Sequence, residues 1–242
     1  HGHMGVTAEN VSEKYGITRE AQDAFAVESH KRAAAATEAG YFEEQIVPMT
    51  IKSRKGDIVF KTDEHIRADA SIENMAKLRT VFKKDGVVTP GNASGLNDGA
   101  ASLVLMTGKA VKEKGLKPLA RIVSYGLAGV DPKYMGIGPV PAMQNALSRA
   151  GLSKDDLDVI ESNEAFAAQA CAVNQELSLD AAKVNPNGGA VAIGHPIGAS
   201  GAIIATKLVY ELGRVNGKYG AATMCIGGGQ GIAVVVENVS ED

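Results

Sequence analysis

Tryptophan is absent from this chain and aromatic residues make up only 5% of it, so its core must be built from aliphatic and small side chains. Cysteine is nearly as scarce. Cys171 and Cys225 are the only two, with neither a C-x-x-C pair nor zinc-ligand spacing, which excludes a disulfide framework and gives no metal site. One bridge between them is the only pairing the count allows, and a reducing compartment is the expectation. No apolar run reaches the roughly 18 residues of a membrane span and no charged-then-apolar leader opens the chain, so the reading is cytoplasmic, with no membrane partner. Nor is one sign of charge in excess. The 25 basic and 28 acidic residues leave −3, which gives no footprint for nucleic acid.

Glycine, by contrast, is abundant, with 28 residues, and it concentrates where polar side chains stand. Asn185 to Ala202 reads N-P-N-G-G-A-V-A-I-G-H-P-I-G-A-S-G-A and runs into an apolar stretch, Ile203 to Leu212, long enough for a helix. Glycine permits positive φ and close backbone approach, and proline fixes φ, so this loop is shaped to hold His195. A plain connection between elements needs only about 2–6 residues and little glycine, which weighs against reading His195 as a buried histidine in an ordinary turn. A second such stretch, Cys225-Ile-Gly-Gly-Gly-Gln-Gly231, lies between two strand-like runs, Ala221 to Met224 and Ile232 to Val236. Asn163-Glu-Ala-Phe166 completes the constellation.

These segments resemble the thiolase family. Asn163 to Phe166 matches its N-E-A-F, Gly194 to Gly198 its G-H-P-I-G, Cys225 to Gly231 its C-x-G-G-G-x-G, and Gly91 to Gly99, G-N-A-S-G-L-N-D-G, a further signature. The resemblance covers essentially the whole chain and is closest to the biosynthetic acetoacetyl-CoA thiolases. It implies an α/β, thiolase-like fold: a complete C-terminal half over 117–242 with a mixed sheet and helices on both faces. Residues 94–116 would be the last helix and strand of an incomplete N-terminal half, and 1–93 the remainder of a loop domain. The family's acyl-accepting cysteine falls ahead of residue 1 here. The opening His1-Gly-His-Met4 reads either as a tag remnant or as the family's own H-M-G in His3-Met4-Gly5.

Along the chain, Thr18 is placed to cap a helix running through Phe25 and the alanines 33–36 to Gly40, its charged residues forming a solvated face. Gln45 to Ile51 and Asp57 to Lys61 read as a hairpin, and Asp63 to Thr80 as irregular, exposed loop. Gly99 to Met106 is expected as a buried strand, echoed by Gly231 to Glu237. Leu119 to Tyr125 and Leu157 to Glu161 read as strands. Val140 to Ala150, Ala165 to Leu177 and Ala202 to Leu212 read as helices. Such alternation predicts a sheet with helices on its faces and a site beyond the strands' carboxyl ends. No G-x-G-x-x-G follows a first strand, which argues against a nucleotide-dependent enzyme.

The implied reaction is acetyl transfer between coenzyme A thioesters, reversibly making acetoacetyl-CoA, with the thioester as substrate and no cofactor. Taking a proton from carbon beside a thioester needs a positioned base and fixed donors for the enolate oxygen. The resemblance assigns Cys225 as base, the Gly227 N–H to one oxyanion, His195 to another and to activation of the nucleophile, and Asn163 to a positioned water. It places His3, Met4, Arg67, Met75, Phe82, Ser94, Met135 and Phe166 around the substrate, Arg67 near its nucleotide end. Helix capping by Asn163, and simple packing by Phe166 and Cys171, are the plainer alternatives. Without its acylated cysteine the chain is expected to be inactive alone or nearly so. Its partner would be a second copy or a chain supplying the missing half; the alternative function is a non-catalytic coenzyme A-binding or assembly module.

Overall fold

The computed structural model describes residues 2–239; His1, half of the tag question, lies outside them. Four strands form the main sheet, in the order β3-β6-β5-β4, with β3 Ala120–Gly129, β4 Val159–Ser162, β5 Tyr219–Ile226 and β6 Gln230–Asn238. The β3/β6 and β5/β6 pairs are antiparallel and β4/β5 is parallel, so the sheet is mixed as expected.

Alternation along the strands sorts the core into two layers. Ile160, Ala221, Ala233 and Val235 pack with α5 (Pro139–Ala150), through Met143, Ala146 and Leu147, and with Val173 and Leu177 of α6 (Ala167–Leu177). Their neighbours Val159, Ala222 and Val236 face the other way, onto Ile204, Leu208 and Leu212 of α8 (Ser200–Arg214). Those three α8 residues recur at i, i+4 and i+8, the stripe that a helix lays on a sheet.

Two helices open the chain. In α1 (Met4–Tyr15), the His3 Nδ1 accepts the Gly5 N–H at 3.0 Å and Gly16 closes the helix at φ 67°. The sequence reading missed α1 because its buried face carries Thr7, Glu9 and Ser12 and so has no apolar period. Helix α2 (Arg19–Glu38) is capped by Thr18 as expected, its Oγ1 accepting from the Ala21 N–H. Arg32 departs from the solvated-face reading, donating to the Val184 and Ala181 carbonyls and tying α2 to the loop ahead of His195. The hairpin is shorter than expected, β1 Met49–Ile51 paired with β2 Ile58–Phe60, and the irregular stretch contains one helical turn, α3 Ile72–Met75.

The buried strand expected over 99–106 does not form. These residues belong to no strand or bridge, with Val104 82% and Leu105 74% exposed, and they lead into α4 (Gly108–Lys114). Apolar, β-branched residues favour a strand only where a neighbouring edge takes up their N–H and C=O groups. No strand among the described residues offers them that edge.

Candidate active site

The parallel pair β4/β5 brings two signatures to the same end of the sheet. Past Ser162, the Asn163 N–H donates to the Thr223 carbonyl at 2.9 Å, two residues before Cys225. Gln169 in the first turn of α6 reaches back, its amide donating to the Asn163 carbonyl and its oxygen accepting from the Phe166 N–H. Asn163 is thus not a helix cap; α6 starts four residues later, with Phe166 in the cap position.

The segment from Gly91 laces the loops together. Ala167 N–H donates to the Asn92 carbonyl, and both the N–H and the hydroxyl of Ser94 donate to the Ala165 carbonyl, the hydroxyl at 2.8 Å. Three residues on, Asn97 Oδ1 accepts from the His195 N–H at 3.1 Å, beside a bridge between Leu96 and His195. Gly194, at φ 99°, admits this approach, because a side chain there would run into Asn97.

Beneath His195 the glycine-rich loop is bolted down by buried carboxylates. Glu164 accepts from Ser29 Oγ, Asn185 Nδ2 and the Val191 N–H at 2.7, 2.8 and 3.1 Å. Asn187 donates to Glu211, while Lys207 donates to the Gly188 carbonyl at 2.6 Å and pairs with Glu161 at 2.7 Å. Burial pushes Glu164 above the usual carboxylate range, and takes Glu161 to about 7 against the opposing pull of Lys207. The short α7 (Ala190–Ile193) grows out of this anchor, and two residues later comes the imidazole.

Hydrogen-bond accounting sets the tautomer of His195. The Ser200 hydroxyl spends its one proton on the Pro196 carbonyl at 2.9 Å, so at 2.5 Å from His195 Nδ1 it acts as acceptor and Nδ1 carries the hydrogen. The Nε2 lone pair then faces the Asn163 Nδ2 at 3.5 Å. Burial holds the imidazole pKa below its usual value, so the ring is neutral at pH 7.

Cys225 sits near the end of β5, 7% exposed, clustered with Met135 and Ala165, with Phe166 packed against the cluster. Burial pushes its thiol up to about 12. The Gly227–Gly229 turn follows, with Gly228 and Gly229 at φ 89° and 87°, and a Cβ on Gly227 would come within 3.7 Å of the Met4 sulfur. His3 stacks on Phe82 at 4.8 Å, and Phe82 meets Phe166 edge-on at 6.1 Å. Phe166 therefore joins the cysteine wall to the start of α1.

Two predicted residues stand apart from this cluster. Met75 is buried among Ala26, Val27 and Val191, and Arg67 is exposed, its backbone N–H donating to His30 Nδ1. The second cysteine, Cys171, is a free thiol packed on the core cluster of α5 and α6. The sequence reading missed Asn97, Glu164, Gln169 and Ser200. Asn97, Glu164 and Ser200 stand within or directly beside the quoted motifs, and Ser200 follows His195 at the start of a helix. Among the described residues no His, Cys, Asp and Glu side chains group as a metal ion would require, and no helix is long and apolar enough to cross a membrane.

A mixed sheet with helices on both faces, carrying cysteine, histidine and asparagine loops at one end, is the architecture of a thiolase-type fold. Family comparison agrees: the thiolase N-terminal domain model matches residues 1–109 and the thiolase C-terminal domain model residues 116–238, and the chain belongs to the thiolase family. It is 64% identical over 238 residues to the beta-ketothiolase BktB of Cupriavidus necator and 59% identical over 236 to an acetyl-CoA acetyltransferase of the same organism. These alignments cover 98% and 97% of this chain and 60% of each relative. Among solved structures, the Bacillus anthracis acetyl-CoA acetyltransferase superposes with a TM-score of 0.96 at 56% identity, over 98% of this chain and 60% of that one. The chain thus spans about 60% of the length of the relatives it matches.

Proposed function

We propose that this chain carries the acid–base half of an acetyl-CoA C-acetyltransferase site, which reversibly joins two acetyl-CoA molecules into acetoacetyl-CoA and coenzyme A. The observation that supports this most is the placement, at one end of the sheet, of a histidine whose Nε2 faces the Asn163 amide and of a buried cysteine ahead of a glycine turn. In condensation, the coenzyme A thiolate released when the acyl-accepting cysteine is acylated takes the Cys225 proton, and the Cys225 thiolate so formed takes a proton from the methyl group of the second acetyl-CoA. The C–H pair becomes an enolate, which attacks the acyl carbon of an acylated cysteine; the C–C bond forms and the C–S bond breaks. In cleavage, Cys225, a thiol at neutral pH given its high pKa, returns the proton to the departing enolate.

His195 acts at the other sulfur. Its bare Nε2 takes the proton of the acyl-accepting thiol, and once protonated it donates from Nε2 toward an oxyanion while Nδ1 stays on Ser200. Asn163 aims its amide N–H groups at the same place, and the Gly227 N–H serves the second oxyanion.

The acyl-accepting cysteine is not Cys171, which is packed in the core, so residues 1–242 alone are expected to give no turnover or only traces. A chain carrying that cysteine would complete the site; a second copy of residues 1–242, with only Cys171 and Cys225, would not. An assembly module is the competing reading, and the exposed apolar run at Leu103–Met106 favours it. The test is thiolysis of acetoacetyl-CoA by coenzyme A, with Cys225→Ser beside it, together with exchange of the acetyl-CoA methyl protons in deuterated water. Exchange lost in Cys225→Ser supports the acid–base half. Turnover by the chain alone would overturn its inactivity, and equal exchange in both proteins would overturn the role of Cys225.

A further inference from the structure

Beside Asn163 and Ser200 lies a small cavity of about 10 Å³, roughly the room one water molecule needs. Its lining includes Glu161, Ser162, Asn163, Ser200 and Lys207. Two residues here hold buried oxygens with no protein partner, Glu161 Oε1 and Asn163 Oδ1, on residues 1% and 2% exposed; Ser162 Oγ, also without a partner, lies on the other face of β4, the side of Ile160. Lys207, 4% exposed, has three protons and spends two, on Glu161 Oε2 and the Gly188 carbonyl. Buried polar groups left unmet are costly, so three such groups around one cavity call for a common ligand.

We propose that this cavity is a one-water site, and that through it the Lys207–Glu161 pair positions the Asn163 amide against His195. The accounting closes on a single molecule. The water accepts from the third Lys207 proton and donates to Glu161 Oε1 and Asn163 Oδ1. A donor held at Asn163 Oδ1 fixes the amide orientation, leaving Nδ2 on the side of His195, where it lies. Nothing else among the described residues bonds to Oδ1, so the water and its ion pair supply the preference. Lys207 and Glu161 touch no substrate; they are positioning residues, and Lys207 acts from α8 across to the end of β4.

The site chemistry suits water better than a bare metal ion, because the lysine ammonium already lies at the cavity and would repel a second cation. The test is a crystal structure of the whole chain at a resolution that shows ordered waters. A fully occupied water oxygen within hydrogen-bond distance of Lys207 Nζ, Glu161 Oε1 and Asn163 Oδ1 is expected. No density there, or a peak whose distances and anomalous signal are those of an ion, overturns the proposal. In solution, Lys207→Met removes the donor while keeping the length of the side chain, and Glu161→Gln turns one of the two carboxylate oxygens into a donor with no change of shape. Both are expected to shift the Asn163 side-chain amide signals, Lys207→Met the more, and to move the His195 titration by several tenths of a pH unit. Unchanged signals in both variants overturn the positioning role. Since these readouts need no turnover, failure here is separate from failure of the acyl-transfer reading on which the importance of Asn163 rests.

Discussion

Replacing Glu164 by glutamine changes one atom and nothing in shape, and the structure predicts that it is among the costlier single changes in the chain. The carboxylate takes three donors: Asn185 Nδ2 at Oε1, and the Ser29 hydroxyl and Val191 N–H at Oε2. A glutamine has one acceptor oxygen. With its oxygen toward Ser29 and Val191, its NH₂ faces the Asn185 NH₂, whose other proton is held by the Ser162 carbonyl at 2.8 Å, so Asn185 cannot turn away. Flipped, the NH₂ faces the Val191 N–H instead. In the better orientation one charge-assisted bond worth about 1.5–3 kcal/mol is lost, and two buried donors face each other unmet. The two surviving bonds fall to neutral strength. Against this, the desolvation that raises the Glu164 pKa is relieved, offsetting part of the loss. The expected net is a destabilisation of about 2–4 kcal/mol, the range of broken buried networks. Urea unfolding, followed by far-UV circular dichroism at pH 7, would measure it as a lowered midpoint at unchanged slope. A Glu164→Gln protein within about 0.5 kcal/mol of the parent would refute the idea that this carboxylate anchors the loop.

Glu161 supplies a pH dependence. Its pKa rises from 4.5 to about 7 on folding, so the stability it contributes is complete below pH 4.5 and is lost as pH rises through 7. Across that window the difference is about 3 kcal/mol, and Glu161→Gln should flatten the corresponding part of the stability profile. The Cys225 thiol, pushed up to about 12, should be alkylated by iodoacetamide at a rate still climbing at pH 10; a plateau near pH 8 would contradict its burial. His195 should show the nitrogen shifts of a neutral ring protonated at Nδ1 and titrate below 6.5, and Ser200→Ala should convert it to a mixture of tautomers. Gly231→Ala should cost several kcal/mol or prevent folding, because a Cβ there would overlap the backbone at Gly138. Its readout is the urea midpoint.

The parts of the fold that could be read directly were those whose burial is apolar and periodic. Leu208 and Leu212 of α8, the alternation through Val235 and Val236, and the Thr18 cap are each written in side-chain type. Helix α1 was illegible because it buries Glu9, whose carboxylate accepts the Val87 and Val88 N–H groups; a polar residue satisfied by distant backbone carries no period. The run at 99–106 failed for the opposite reason. Its residues have strand character, but a strand is a property of a pair, and a sequence does not state whether an edge will be there.

The same distinction runs through the site. Cys225, His195 and Asn163 stood out because each is embedded in glycine or at a loop whose composition no ordinary connection requires. What holds them did not stand out, since a buried Glu, Lys or Gln reads as surface until its partners are known. Glu161 and Lys207 are 46 positions apart and meet only because β4 lies beside β5 and α8 crosses behind them. Ser200 shows the halfway case: five residues from His195, it is close enough to suspect, but its role depends on which group takes its proton. The Pro196 carbonyl decides that, and Pro196 lies in the motif because the turn it shapes returns α8 to the imidazole. In this site the candidate reacting groups are legible from local composition, while their protonation states are set by contacts that only the fold creates.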